Sequence, residues 1–120
     1  VDYVMPDVAK CGGLAEGKCI AKMAELDYVP FAPHNVSSPI GTIAAAHVCA
    51  AVSNFTVLEW HAIDMPHWAD FVRYSGGEVI ADGHIELRSS RPRPGAERGG
   101  RPGAPPREGR HPVLRHAVIT

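Results

Sequence analysis

Short apolar runs ended by proline alternate, along the first sixty residues, with longer stretches that mix apolar and charged positions. Val1 to Met5 is apolar and β-branched, too short for a helix, and stops at Pro6-Asp7, which predicts a strand. After Gly12-Gly13, the stretch Leu14 to Leu26 sets Leu14, Ile20, Met23 and Ala24 against Glu16, Lys18, Lys22 and Glu25, the pattern of an amphipathic helix with one face in water. Tyr28 to Ala32 is a second strand-like run, closed by Pro33 and followed by His34-Asn35. Ser38-Pro39 supplies an N-cap and a proline at the first helical position, where a missing N–H costs nothing, so the Ala-rich run Ile40 to Val52 reads as a second helix. Phe55 to Leu58 is the third strand, ending at Glu59.

The order strand, helix, strand, helix, strand with short connections predicts parallel strands joined by right-handed crossovers. Such a sheet must be covered on both faces, which three strands and two helices cannot do. The pattern therefore predicts the end of a larger α/β domain. Beyond Glu59, Pro66 to Tyr74 offers an amphipathic turn or two carrying Trp68, Phe71 and Val72, and Glu78 to Leu87 reads as a hairpin about Asp82-Gly83.

Charge divides the chain. Residues 1–87 carry four basic and eleven acidic side chains, net −7, whereas residues 88–120 carry eight Arg against Glu97 and Glu108, net +6. From Arg88 to Arg107, 17 of 20 residues are Arg, Pro, Gly or Ala, with nothing that builds a core, so 88–120 is expected to be a disordered tail outside the fold. No apolar run reaches the roughly 18 residues that cross a membrane and no secretory leader pattern is present, which predicts a soluble, cytoplasmic protein. Cys11, Cys19 and Cys49 are odd in number and lack paired metal spacing, and are expected to be reduced core thiols.

Asp7, His34 and Glu59 end the three candidate strands, 27 and 25 residues apart, about one βα repeat. Parallel strands point the same way, so the three side chains should emerge on one rim of the sheet, the rim that holds the active site in α/β barrels. Any one of them alone is adequately explained as a polar residue opening a loop. Three titratable groups at equivalent points favour a shared chemical task.

These residues carry a resemblance. Met5-Pro6-Asp7, the Lys10-Cys11-Gly12-Gly13 turn, Pro33-His34-Asn35 and Leu58-Glu59 resemble the C-terminal part of the mandelate racemase branch of the enolase superfamily, over residues 1–87. The run from Phe31 to Gly41 and the Glu59-Trp60-His61 continuation look most like sugar-acid dehydratases acting on gluconate, galactonate or xylonate. The fold implied is α/β: strands six to eight of a (β/α)8 barrel, with a short hairpin contributed to the cap. The resemblance makes His34 the base that removes the proton α to a carboxylate. Asp7 is its partner, fixing the tautomer and raising its basicity, and Glu59 contacts the substrate carboxylate. Loss of the β-hydroxyl then gives a 2-keto-3-deoxy acid; racemases and epimerases of the branch share much of this pattern.

Several neighbours are weaker candidates. Asn35 is expected to orient a substrate hydroxyl or to cap its own loop. Trp60 and His61 are expected to contact the sugar chain or to pack against a neighbouring cap. Lys10 can reach the rim from its turn, but a surface role in the turn is the favoured reading. His61, Asp64 and His67 form a poor zinc set, because Pro66 interrupts them. His47 is expected in the core or an interface, and His84 exposed in the hairpin.

The resemblance also implies Mg²⁺, a metal the superfamily uses with a Lys or His base. Its ligands would lie on the third to fifth barrel strands, none of which matches this chain, so the 120 residues are expected to be inactive alone and the full-length enzyme to be a homo-oligomer. The tail departs from the family pattern, and its four dominant residues share codons beginning with two G or C bases, as a shifted frame in GC-rich DNA would produce. A different reading makes the chain an inactive fragment whose basic tail binds nucleic acid through its Arg side chains; it lacks interleaved aromatics.

Overall fold

Proline sets the length of the inter-strand ladders. The structure, a computed structural model, describes residues 1–62, 65–73, 78–87 and 117–118. Its core is three parallel extended segments joined by single bridges, Val4 to Phe31 and Phe31 to Phe55, with Phe31 fully buried between its neighbours. Pro30 and Pro33 have no N–H, so the central segment donates only through Phe31 to Asn54 O (2.8 Å) and Ala32 to Val4 O (3.0 Å). The expected parallel order is present, but as bridges rather than long strands, because the middle run is bracketed by residues that cannot extend the ladder.

Helix α1 spans Leu14–Leu26, as the pattern predicts, but it turns a different face inward. Gly17 and Ala21 are buried, while Leu14, Met23 and Leu26 are exposed. The reason is close approach: a Cβ on Gly17 would stand 3.4 Å from Val8 and 3.7 Å from Val48, so only small residues fit between α1 and what it packs on. The helix ends in a Schellman motif, with Val29 N–H on Ala24 O at 2.9 Å and Tyr28 N–H on Glu25 O at 3.1 Å. Tyr28 therefore belongs to the helix terminus, at φ 57°, and not to the strand that the sequence suggests. Asn54 ties this corner down, its Nδ2 donating to Ala21 O (3.0 Å) and Val29 O (2.9 Å).

Helix α2 covers Pro39–Cys49 behind the Ser38 cap, whose Oγ accepts from Gly41 N at 3.4 Å. It stops short of the expected Val52 because Ala51 and Val52 bond three residues back, at 2.9 and 3.5 Å, tightening the last turn and carrying Val52 into the core. Val8, Ala21, Phe31, Ala46, Val48 and Leu58 lie in that core. A second, smaller cluster gathers Trp68 of a 3-10 helix, Trp68–Phe71, with Ala62 and Val79.

Asp82 and Gly83, both at positive φ (50° and 72°), make a two-residue turn in which Ala81 and His84 exchange backbone hydrogen bonds of 2.9 Å. His84–Ile85 (β1) then pairs antiparallel with Ala117–Val118 (β2). This pairing differs from a tail lying wholly outside the fold. The chain after Val113 regains the apolar residues that the Arg-rich stretch lacks. The rest of 88–120 lies outside the described residues.

Two further expectations are corrected by burial. Cys49 is buried but Cys19 is exposed and Cys11 half-buried, because α1 presents its small-residue stripe inward and Cys19 sits off that stripe. His47 is exposed on α2, whose buried face runs through Thr42, Ala45, Ala46 and Cys49.

Candidate acid–base site

The parallel register puts Asp7, His34 and Glu59 on one rim, each three or four residues beyond a bridged position. The chain leaves the first segment in a tight turn, Lys10 and Cys11 N–H bonding Asp7 O at 2.9 and 2.8 Å, while Asp7 Oδ1 accepts from Ala9 N–H at 3.0 Å. His34 leaves the second segment directly after the buried Pro33, whose carbonyl accepts from Glu59 N–H at 3.1 Å and so pins the third segment beside it.

His34 sits between the two carboxylates. Its Nδ1 lies 3.3 Å from Asp7 Oδ2 and its Nε2 lies 3.9 Å from Glu59 Oε2. The Asp7 side chain is 9% exposed, that of Glu59 27% and that of His34 38%, so the ring is the open member of the three. Burial, the largest single influence on Asp7, pushes its carboxyl up, but hydrogen bonds from Lys10, His34 and Ala9 N–H and the Lys10 charge together outweigh it and hold the group below its ordinary 3.8. An ionised Asp7 only accepts, so it selects the tautomer with the proton on Nδ1 and leaves the Nε2 lone pair facing the rim. Glu59 Oε2 is buried with no hydrogen-bond partner among the described residues, so two lone-pair atoms face each other across a gap that calls for a proton or a donor.

His61 extends the cluster, with Nε2 3.0 Å from Glu59 Oε1, and lines a largely apolar cleft of about 350 Å³ together with Val36, Pro39, Met65, Trp68 and Phe71. Lys10 closes the other end, its Nζ 2.9 Å from Asp7 Oδ2. Trp60 packs edge-to-face on Trp68, ring centroids 5.6 Å apart, and belongs to the second apolar cluster. Trp68 is itself fixed by Nε1 donating to Ser37 O at 2.9 Å.

Asn35 does not join the rim. It is 1% exposed, and its amide meets the Thr42 hydroxyl from both ends, Nδ2 at 3.0 Å and Oδ1 at 3.3 Å, a partner on α2 that neither expectation for Asn35, a substrate hydroxyl or its own loop, included. Thr42, on α2, was not singled out by sequence; its place seven residues on, one turn into a capped helix, is the signal that points to it. Among the described residues no three His, Cys, Asp or Glu side chains are grouped to hold a metal, so the residues present do not form the Mg²⁺ site that the resemblance implies. Asp64, of the weak zinc set, lies outside the described residues. No helix among the described residues is long and apolar enough to cross a membrane.

Comparison with known proteins gives this geometry its setting. Residues 1–96 match the enolase C-terminal domain-like family model. The chain is 44% identical over 87 residues to a D-xylonate dehydratase of Haloferax volcanii, covering 72% of this chain and 21% of that protein. It is 33% identical over 128 residues to a D-galactonate dehydratase of Xanthomonas euvesicatoria, covering 98% of this chain and 32% of the relative. A crystal structure of a mandelate racemase/muconate lactonizing enzyme-like protein from Rubrobacter xylanophilus superposes with a TM-score of 0.72 at 84% identity, over 73% of this chain and 22% of that one. The chain thus spans about a fifth to a third of the length of the proteins it matches. By the family match over most of its length, the chain belongs to the enolase C-terminal domain-like family, whose fold is part of a (β/α)8 barrel.

Proposed function

We propose that this chain is the C-terminal portion of a sugar-acid dehydratase and supplies the acid–base half of its active site. In this reading residues 1–87 form strands six to eight of the barrel with a segment contributed to the cap. The observation that carries it is the seat of His34, hydrogen-bonded through Nδ1 to Asp7 with Nε2 free toward Glu59. Nε2 takes the proton α to the substrate carboxylate, leaving an enediolate, while Asp7 steadies the imidazolium. Glu59 Oε2, in its protonated form or through a water, hydrogen-bonds a carboxylate oxygen where the charge develops. As the enediolate collapses, the C–O bond at the β-carbon breaks and the hydroxide leaves as water, taking from His34 Nε2 the proton that the ring removed from the α-carbon. The resulting enol tautomerises to a 2-keto-3-deoxy acid. Among the described residues none are grouped to hold Mg²⁺, whose ligands this reading places on barrel strands outside this chain. His61 and the adjoining cleft border the substrate chain, and Trp60 supports them through Trp68. The enzyme is a soluble, cytoplasmic homo-oligomer acting on a small sugar acid, and neither membrane nor nucleic acid enters its work.

Two relatives, named D-xylonate dehydratase and D-galactonate dehydratase, support dehydration over racemisation in this reading. The test uses the full-length protein carrying this segment, incubated with gluconate, galactonate and xylonate in D2O. Appearance of a 2-keto acid is expected with at least one of them, and His34→Asn should lower its rate by about 10²-fold or more. Formation of a C2 epimer without keto acid would replace the dehydratase by a racemase, and normal turnover by His34→Asn would remove His34 from the base role.

A further inference from the structure

Lys10 touches the acid–base cluster without a part in the chemistry just described. Its Nζ lies 2.9 Å from Asp7 Oδ2, the same oxygen that His34 Nδ1 approaches at 3.3 Å, while the other oxygen already accepts from Ala9 N–H at 3.0 Å. The contact is built into the turn, because Lys10 N–H and Cys11 N–H both bond Asp7 O and a helical turn returns a side chain three residues on to its starting point. A separation of 2.9 Å is ordinary for a charge-assisted bond, whereas 3.3 Å is long for N–H to oxygen. One oxygen is thus shared by two donors, and the lysine has the closer hold.

We infer that Lys10 is a positioning residue of this cluster, which by occupying Asp7 Oδ2 limits how tightly that carboxylate holds a protonated His34. The inference rests on the acid–base role proposed for His34. Around that ring stand Asp7 at Nδ1, Glu59 at Nε2, His61 beyond Glu59 and Lys10 beyond Asp7. Two carboxylates face the imidazolium, and among the described residues Lys10 is the fixed cation placed to offset them. Without that cation the ring would take up its α-proton readily and release it slowly, which suits the first half of an elimination and hinders the second. Lys10 is 70% exposed on its side chain while that of Asp7 is 9% exposed, so the ammonium stands between water and a carboxylate that solvent screens poorly.

The test is an NMR titration of the full chain, following the ring nitrogens of His34 in the wild type, Lys10→Met, Lys10→Gln and Lys10→Arg. Removal of one nearby positive charge should raise the pH at which His34 takes up its proton by about half a unit in both Lys10→Met and Lys10→Gln. Lys10→Arg should stay near the wild type, and His67, paired with Asp70 elsewhere, should not move. A His34 midpoint that is unchanged or lower in the two neutral variants would overturn the inference and return Lys10 to a surface ion pair. No substrate is present in this measurement, so a failure of the dehydratase reading cannot produce either outcome.

Discussion

Asn35 and Thr42 close on each other across the loop that carries His34, the hydroxyl of one lying 3.0 and 3.3 Å from the two ends of the other's amide, with both side chains shut off from water. The pair joins the residue immediately after His34 to the second turn of α2, itself started by the Ser38 cap. The orientation of the His34 ring is therefore inherited from a helix, not from a free loop. Asp7 sets which nitrogen bears the proton, and Asn35 sets where the ring stands.

This pair makes Thr42→Val a sharp probe. Valine keeps the shape but removes the hydrogen-bond partner that the buried Asn35 amide has among the described residues, which should destabilise the fold by about 1–3 kcal/mol. Thr42→Ser, which keeps the hydroxyl, should lose less. Urea denaturation of the three proteins decides it; equal midpoints for Thr42→Val and the wild type would show that the Asn35 amide finds another partner.

The parts of this architecture that were legible in sequence are those with local causes. Ser38-Pro39 announces α2 because cap and proline act within one turn, and Gly12-Gly13 announces α1 for the same reason. The three rim residues could be aligned because parallel segments of similar spacing leave no choice of rim. What escaped depends on contacts distant in sequence. Hydrophobicity ranks Leu14 and Met23 above Gly17 and Ala21, yet it is the small pair that is buried, and at Gly17 a Cβ alone would already touch Val8 and Val48. The alternation of apolar residues makes Tyr28 look like strand, whereas its conformation is fixed by bonds back to α1. Asn35 reads as a rim residue until Thr42 is placed beside it.

Tyr28 offers a gain in stability. It holds the left-handed position of the Schellman motif at φ 57° with its side chain in solvent, 95% exposed, so it bears the steric cost of a Cβ there without packing in return. That cost is about 1–2 kcal/mol, against about 0.5–1 kcal/mol for the extra freedom of glycine in the unfolded chain, so Tyr28→Gly should stabilise by about 0.5–1 kcal/mol. A denaturation midpoint that stays put or falls would show that the phenol supports the chain in some other way.

Asp7 should make stability depend on acid. Its folded carboxyl titrates below its ordinary value of 3.8, so its contribution is present above that value and is lost as the pH falls through the folded one. Asp7→Asn should accordingly be less stable than the wild type at neutral pH, and the gap should narrow once the pH drops below about 4. Denaturation curves collected from pH 7 to pH 2 test this, and a gap of constant size across that range would mean that Asp7 acts through shape and not through charge.

The three thiols should separate cleanly by reactivity. Only the thiolate attacks, and only where the reagent can reach it. Cys49 is buried on α2, and burial pushes its thiol up to about 12, so in the native chain it is both neutral and covered. Cys19 is exposed on α1, and Cys11 is half-buried with its sulfur 3.9 Å from Val8 O. Alkylation at pH 8 followed by peptide mass spectrometry should therefore modify Cys19 first, Cys11 more slowly and Cys49 only as fast as the chain unfolds, so that urea accelerates the last far more than the first. The same burial has a consequence at high pH: the raised thiol contributes stability that is complete below its ordinary 9.0 and is lost as the pH climbs toward about 12. Cys49→Ala removes that alkaline loss while leaving a small void in the core, which should make the variant less stable at pH 7 and bring its curve toward the wild type above pH 9. Modification of Cys49 at the rate of Cys19 in native buffer would show that α2 does not cover it in solution.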